Sequence, residues 1–248
     1  MKAFLMIGQS NMSGRGIIGE LPSLQNSHVS VLRGERWETA REPVVFDKPQ
    51  LAGEGMGISF GSAVYAFTGE EVGLIPCSLG GSALSEWMPG ERLFTEAVAC
   101  TVTALKLGAE LSGILWHQGE NDATRLEDAQ SYSERLSSVM DSLVSAIRSE
   151  AREAECAELI AQPLPIIAGE LGDYLDGREK VLYHRIVNAQ MHEFANTKPE
   201  YECVTAHDLA DKGDNLHFST SSQRRLGCRY ADAWMSVVER TRTQSSLK

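Results

Sequence analysis

Lys2-Ala3-Phe4-Leu5-Met6-Ile7-Gly8-Gln9-Ser10-Asn11 stands at the start of the chain, and its first apolar run is closed by a glycine. A short apolar run bounded by a turn residue reads as a buried strand, here residues 2–7 ending at Gly8. Four later runs read the same way: Val72 to Ser78, Ser112 to His117, Pro165 to Gly169 and Glu202 to Ala206. Between them, apolar residues recur at helical spacing over Ile58 to Thr68, Leu93 to Leu107, Glu127 to Ala154, Val181 to Asn196 and Ser219 to Val238. The longest of these, 127–154, carries Leu136, Val139, Met140, Leu143, Val144 and Ile147 along one stripe. Strands alternating with helices imply an α/β fold with a central parallel five-stranded sheet covered on both faces. Residues 8–55 are rich in Gly, Pro and turn signals and read as irregular. Long loops of that kind in compact domains tend to carry function.

The 248 residues show no repeat, low-complexity tract or Pro/Ser linker, so one domain over 1–248 is expected. The formal net charge of −11, with no Lys/Arg block, argues against nucleic acid or an anionic membrane as a partner. No apolar stretch approaches the roughly 20 residues that span a bilayer. The N-terminal run is too short for a signal peptide, so the expected location is the cytoplasm, or outside the cell if a leader has been removed. Cys77, Cys100, Cys156, Cys203 and Cys228 are odd in number and spread out, which fits free thiols in a reducing compartment. Cys77 precedes Ser78-Leu79-Gly80-Gly81 but has no neighbouring His to activate it.

In open α/β sheets ligands gather where strands end at their carboxyl side. The segments there are Gly-Gln-Ser-Asn (8–11), Leu-Gly-Gly-Ser (79–82), His-Gln-Gly-Glu-Asn-Asp (117–122) and Asp-Asn-Leu-His (214–217). Taken singly, each has an ordinary explanation. A Ser after a strand is usually a turn or cap residue. An Asp three before a His usually closes a turn, and a Gly pair is usually a bend. Together they supply the parts of a serine hydrolase. Ser10 is a nucleophile, His217 a base, and Asp214 an acid at the spacing that accepts from the imidazole Nδ1–H. The Ser10 amide, the Gly80 and Gly81 turn and the Gln118 carboxamide are oxyanion donors. A metal site at His117, Glu120 and Asp122 lacks a second His or Cys and is set aside. Gly14-Arg15-Gly16-Ile17-Ile18-Gly19 matches a dinucleotide-binding pattern without the strand-to-helix context that pattern needs. Arg15 is a candidate substrate contact, although an exposed loop Arg is more often solvated.

The stretches Ile7–Met12, Ile75–Ser82, Trp116–Asp122 and Asp214–Phe218 resemble, in that order, the SGNH-hydrolase superfamily. Within it they are similar to the sialate O-acetylesterase-like proteins grouped with carbohydrate esterase family six, which includes acetylxylan esterases. The resemblance implies a flavodoxin-like three-layer α/β/α sandwich and a Ser10–His217–Asp214 triad without metal or organic cofactor. It further implies backbone oxyanion donors at Ser10 and the Gly80/Gly81 turn. The superfamily has an Asn in its third block, in whose place Gln118 is taken here. Glu120 is a rival for the triad acid, or a second carboxylate holding the His217 ring, while Gln9 and Asn11 are candidates for catalytic support or substrate binding. The expected substrate is a small-molecule or oligosaccharide acetyl ester, hydrolysed through an acetyl-Ser10 intermediate. The competing expectations are a short-chain lipase or thioesterase on the same fold and a catalytically silent carbohydrate-binding relative. The loops 13–55 and 170–180 are expected to shape specificity.

Overall fold

The computed structural model describes residues 1–246; Leu247 and Lys248, the last two residues of the expected domain, lie outside them. Its first half contains β1 (Lys2–Gly8), the single turn α1 (Ser10–Ser13), β2 (Val29–Arg33), β3 (Arg36–Thr39), α2 (Gly57–Thr68) and β4 (Val72–Pro76). There follow α3 (Arg92–Lys106), β5 (Glu110–His117), α4 (Leu126–Gln130), α5 (Tyr132–Glu153), β6 (Ile166–Gly169), α6 (His184–Ala195), β7 (Tyr201–Val204) and α7 (Thr220–Ser246). Short 3-10 turns join several of these elements.

Side chains along β1 alternate between two apolar layers, as a strand covered on both faces requires. Ala3, Leu5 and Ile7 enter one core, while Phe4 and Met6 enter the other. The first core lies under α3, α5 and α6, with Trp87 edge-on to Trp116. The second lies under α2 and α7, where Phe4 meets Phe60 and Trp234 edge-on at 4.8 and 5.2 Å between ring centroids. The result is the three-layer sandwich.

The sheet order is β3-β2-β4-β1-β5-β6-β7. The five expected strands form its continuous parallel stretch, β4-β1-β5-β6-β7, in the flavodoxin-like order, with β7 at one edge. Two further strands come from the segment expected to be irregular. β2 pairs parallel to β4 and antiparallel to β3 through a turn at Gly34, whose φ is +58°, so the sheet has seven strands and is not purely parallel. The helix expected over 127–154 is also two helices, broken at Ser131 between α4 and α5. The stripe from Leu136 to Ile147 lies wholly in α5, but the buried Ala129 of α4 stands at helical spacing from the buried Tyr132 and Ser133, so periodicity alone does not reveal the break.

α2 and α7 cross closely because Gly227 carries no side chain. A Cβ there would lie 2.1 Å from Ser59 Oγ and 2.4 Å from the Met56 carbonyl oxygen. Gly227→Ala is therefore expected to destabilise the fold by about 1–3 kcal/mol, the usual penalty of overpacking. Urea denaturation would measure the loss, and an unchanged midpoint would show that the helices are free to separate.

Candidate active site

The carboxyl end of β1 lies at the centre of the sheet between β4 and β5, where the strand order reverses and a crevice opens. Gly8 has φ +135°, and a Cβ there would stand 2.1 Å from the His117 carbonyl oxygen. Only glycine fits. The Gln9 N–H then donates to that same carbonyl at 2.9 Å, and α1 begins at Ser10. This bend lifts the Ser10 hydroxyl to the rim of the crevice.

The loop before α7 brings the partner. Asp214 Oδ1 accepts the backbone N–H groups of Leu216 and His217 at 3.0 and 2.8 Å, and Asn215 takes φ +51° to close the turn. Asp214 Oδ2 faces His217 Nδ1 at 2.7 Å, and His217 Nε2 faces Ser10 Oγ at 3.1 Å. The ring therefore carries its proton on Nδ1 and presents Nε2 to the serine. Burial holds His217 below its ordinary value, and the Asp214 carboxylate only partly offsets this. For Asp214, burial pushes upward, but the His217 ring and amide outweigh it and hold the carboxyl below its usual range.

Asn11, a candidate for substrate contact, has every polar atom of its side chain engaged inside the protein. Its Nδ2 donates to Glu120 Oε1 at 2.5 Å and to the Leu216 carbonyl at 3.1 Å, while its Oδ1 accepts from the Phe218 N–H at 3.1 Å. Glu120 thus bonds Asn11, and its carboxylate makes no hydrogen bond to His217; Asp214 is the acid on the ring. Gln9 Oε1 accepts from the Gly119 and Asn121 amides at 3.3 and 3.4 Å, joining the ends of β1 and β5.

The expected oxyanion donors divide. The Gly80 N–H is already taken: it donates to Asp47 Oδ2 at 2.7 Å, and the same oxygen is paired with Arg15 at 2.7 Å. Arg15 is not an exposed loop residue, because this ion pair is almost wholly buried. Burial raises the Asp47 carboxyl, but Arg15 and the Gly80 amide outweigh it and keep Asp47 ionised. Gly81, next in the chain with φ +83°, and Ser10 keep amide hydrogens with no acceptor among the described residues. Gln118 is also committed elsewhere. Its Nε2 donates to the Ser82 carbonyl at 3.0 Å and to Asp122 Oδ2 at 2.7 Å, and its Oε1 accepts from the Tyr132 hydroxyl. With both amide hydrogens spent, the carboxamide braces the loop beneath the crevice and has no donor to offer an oxyanion.

Asn121 sits beside more conspicuous residues in the sequence, and nothing in its type alone singles it out. Its side chain is exposed, and its Nδ2 donates to the Gly81 carbonyl at 2.7 Å, leaving a second hydrogen at the rim. The signal for it in the sequence is its position one residue beyond Glu120 in the same strand-end cluster. His117, Glu120 and Asp122 do not form a metal site. His117 Nδ1 donates to the Tyr230 hydroxyl at 3.0 Å, Asp122 holds Arg135 at 3.0 Å, and no metal-competent cluster occurs among the described residues. Burial pulls the His117 imidazole down to about 3, so it stays neutral.

A family model described as carbohydrate esterase, sialic acid-specific acetylesterase, matches residues 1–236. The chain belongs to this family. It is a carboxylic ester hydrolase of the carbohydrate esterase type. It is 34% identical to a probable carbohydrate esterase of Arabidopsis thaliana, covering 94% of this chain and 90% of that one. The crystal structure of that Arabidopsis protein superposes with a TM-score of 0.81 at 29% identity, over 95% of this chain and 98% of the other. A carbohydrate acetylesterase from Xanthomonas citri shares the fold, with a TM-score of 0.70 at 18% identity over 95% of this chain and 56% of that one. No described helix of this esterase is long and apolar enough to cross a membrane.

The esterase's ring geometry gives a direct NMR expectation. His217 is expected to titrate below 6.5, the ordinary histidine value. Asp214→Asn removes the charge that favours the imidazolium, so the titration moves lower still, whereas Glu120→Gln leaves it nearly unmoved. A large shift in Glu120→Gln and none in Asp214→Asn would reverse the assignment of the acid.

Proposed function

We propose that this esterase removes O-acetyl groups from a carbohydrate by a serine mechanism with Ser10 as nucleophile. The observation that carries the reading is the continuous line from Asp214 Oδ2 through His217 to Ser10 Oγ, at 2.7 and 3.1 Å. His217 Nε2 accepts the serine proton as Oγ attacks the acetyl carbonyl, and Asp214 holds the imidazolium that forms. The developing oxyanion is met by the free N–H groups of Ser10 and Gly81 and by the second Asn121 Nδ2 hydrogen. His217 then returns its proton to the sugar oxygen as that leaves. Water, deprotonated by the same ring, hydrolyses the acetyl-enzyme and regenerates Ser10.

The charges around the crevice support an uncharged sugar as substrate. Arg15 is matched by Asp47, Lys212 donates to the Arg15 carbonyl and lies 3.7 Å from Asp214, and Lys48 donates to the Gly80 carbonyl. Arg15 and Lys212 thus each face a carboxylate, Lys48 is held by a backbone carbonyl alone, and the net charge of −11 adds repulsion toward a substrate carboxylate.

Two experiments test the reading. With p-nitrophenyl acetate, Ser10→Ala is expected to lose roughly 10⁴-fold or more in turnover, and Asp214→Asn on the order of 10⁴, as in other serine triads. Equal turnover by wild type and Ser10→Ala would end the serine mechanism. Turnover rising steadily from acetyl to longer acyl esters would favour the lipase alternative. With natural-type substrates, acetylated neutral oligosaccharides are expected to be cleaved with higher kcat/KM than O-acetylated sialic acid, and the reverse order would contradict the charge argument.

A further inference from the structure

Glu120 is buried and touches neither the His217 ring nor Ser10 by any hydrogen bond, yet it stands at the end of β5 in the middle of the site. Its one side-chain partner is Asn11, and Asn11 is the residue after Ser10. The two backbone groups Asn11 holds, the Leu216 carbonyl and the Phe218 N–H, are those on either side of His217. One carboxamide thus joins the nucleophile's turn to both flanks of the base, across more than 200 residues of chain.

We propose that Glu120 is a positioning residue for the Ser10–His217 pair, acting through Asn11, whose amide it locks in the one orientation that satisfies both flanks of His217. The inference rests on the serine-esterase reading above. Without an acceptor at Glu120, one Asn11 amide hydrogen is left buried and unpaired, and the carboxamide is driven out of its place. Turned over, its oxygen would face the Leu216 carbonyl and its NH₂ would face the Phe218 N–H. Both contacts are repulsive, and the loop would have to shift. Glu120 Oε1 prevents this by taking the Asn11 hydrogen that no other group receives. Its second oxygen, Oε2, is buried with no hydrogen-bond partner. Burial, with a smaller push from Asp122, raises the Glu120 carboxyl to about 7. The lock needs only an acceptor at Oε1, and a protonated acid bearing its hydrogen on Oε2 still provides one. The role is therefore geometric, and a neutral isostere fulfils it.

The test compares Glu120→Leu, Glu120→Gln, Asn11→Ala and the double variant Glu120→Leu/Asn11→Ala, each first checked for a folded thermal transition. A misplacement of about 1 Å in a catalytic pair typically costs ~10²-fold, so Glu120→Leu and Asn11→Ala are expected to lower kcat by about that much with KM little changed. Labelling of Ser10 by a fluorophosphonate should slow in proportion. Glu120→Gln is expected to retain most of the wild-type rate, and the double variant to be no slower than either single change. Additive losses in the double variant would overturn the inference, as would a Glu120→Gln variant as slow as Glu120→Leu. If Glu120→Leu fails to fold, Glu120→Gln and Asn11→Ala decide the matter, and wild-type kcat in Asn11→Ala overturns the inference. Ser10→Ala separates the two levels. An inactive Ser10→Ala beside an unimpaired Asn11→Ala sinks the positioning role alone, whereas an active Ser10→Ala sinks the esterase mechanism on which it rests.

Discussion

The site depends on the close approach of Gly8 to the His117 carbonyl at the carboxyl ends of β1 and β5. There is no room for a Cβ at that point, and the backbone must leave the strand at φ +135°. Because it does so in the middle of the sheet, the next residues emerge over the crevice at the reversal of strand order. Ser10 is thereby held on rigid backbone rather than on a mobile loop. The other functional segments reach it by fixed tethers: Gln9 to the Gly119 and Asn121 amides, and Asn11 to the His217 loop.

A second constraint is the accounting of buried charge. Taking a carboxylate out of water costs several kcal/mol unless a partner compensates. Around this crevice Asp122 has Arg135, Asp47 has Arg15, and Glu54 has Arg224. Each pair also binds backbone: Asp122 takes the Leu84 N–H and Asp47 takes the Gly80 N–H, so the turn that carries Gly81 is pinned from two sides. Glu120 lacks a cation, and so does Glu42 in the loop before α2, whose nearest help comes from the Gly55 and Val44 amides. Both are pushed up to about 7, burial being the main cause. Both carboxyls therefore lie close to changing their protonation at neutral pH, and neither hydrogen-bonds the His217 ring or Ser10.

Much of this was legible in the residues, and the boundary of legibility is physical. β1, β4, β5 and β6 announce themselves as nearly continuous apolar runs, as strands covered on both faces do, and the edge strand β7 as a shorter one. The β2–β3 hairpin does not, since it sits at the sheet edge with exposed, charged residues such as Arg36 and Glu38 and falls in a turn-rich stretch. Ser10, Asp214 and His217 are recognisable by type and by their place after strands. The state of an individual donor is another matter. Gly80 and Gly81 look equivalent in sequence, and only Asp47, 33 positions away, distinguishes the spent amide from the free one. Gln118 likewise looks available until Ser82, Asp122 and Tyr132 are brought around it. Asn11 and Glu120 are adjacent only in three dimensions, 109 positions apart in the chain. Local pattern finds the catalytic types; long-range packing decides which of their atoms remain free.

The central claim is that the hydroxyl at the end of β1 becomes acylated during turnover. Acid-quenching the enzyme within its first turnover of p-nitrophenyl acetate, followed by peptide mass mapping, tests this directly. The account predicts an acetyl group on the peptide containing Ser10, absent in Ser10→Ala. An acetyl group carried instead by Cys77, or a pre-steady-state burst of p-nitrophenol with no acetyl group on the Ser10 peptide, would contradict it.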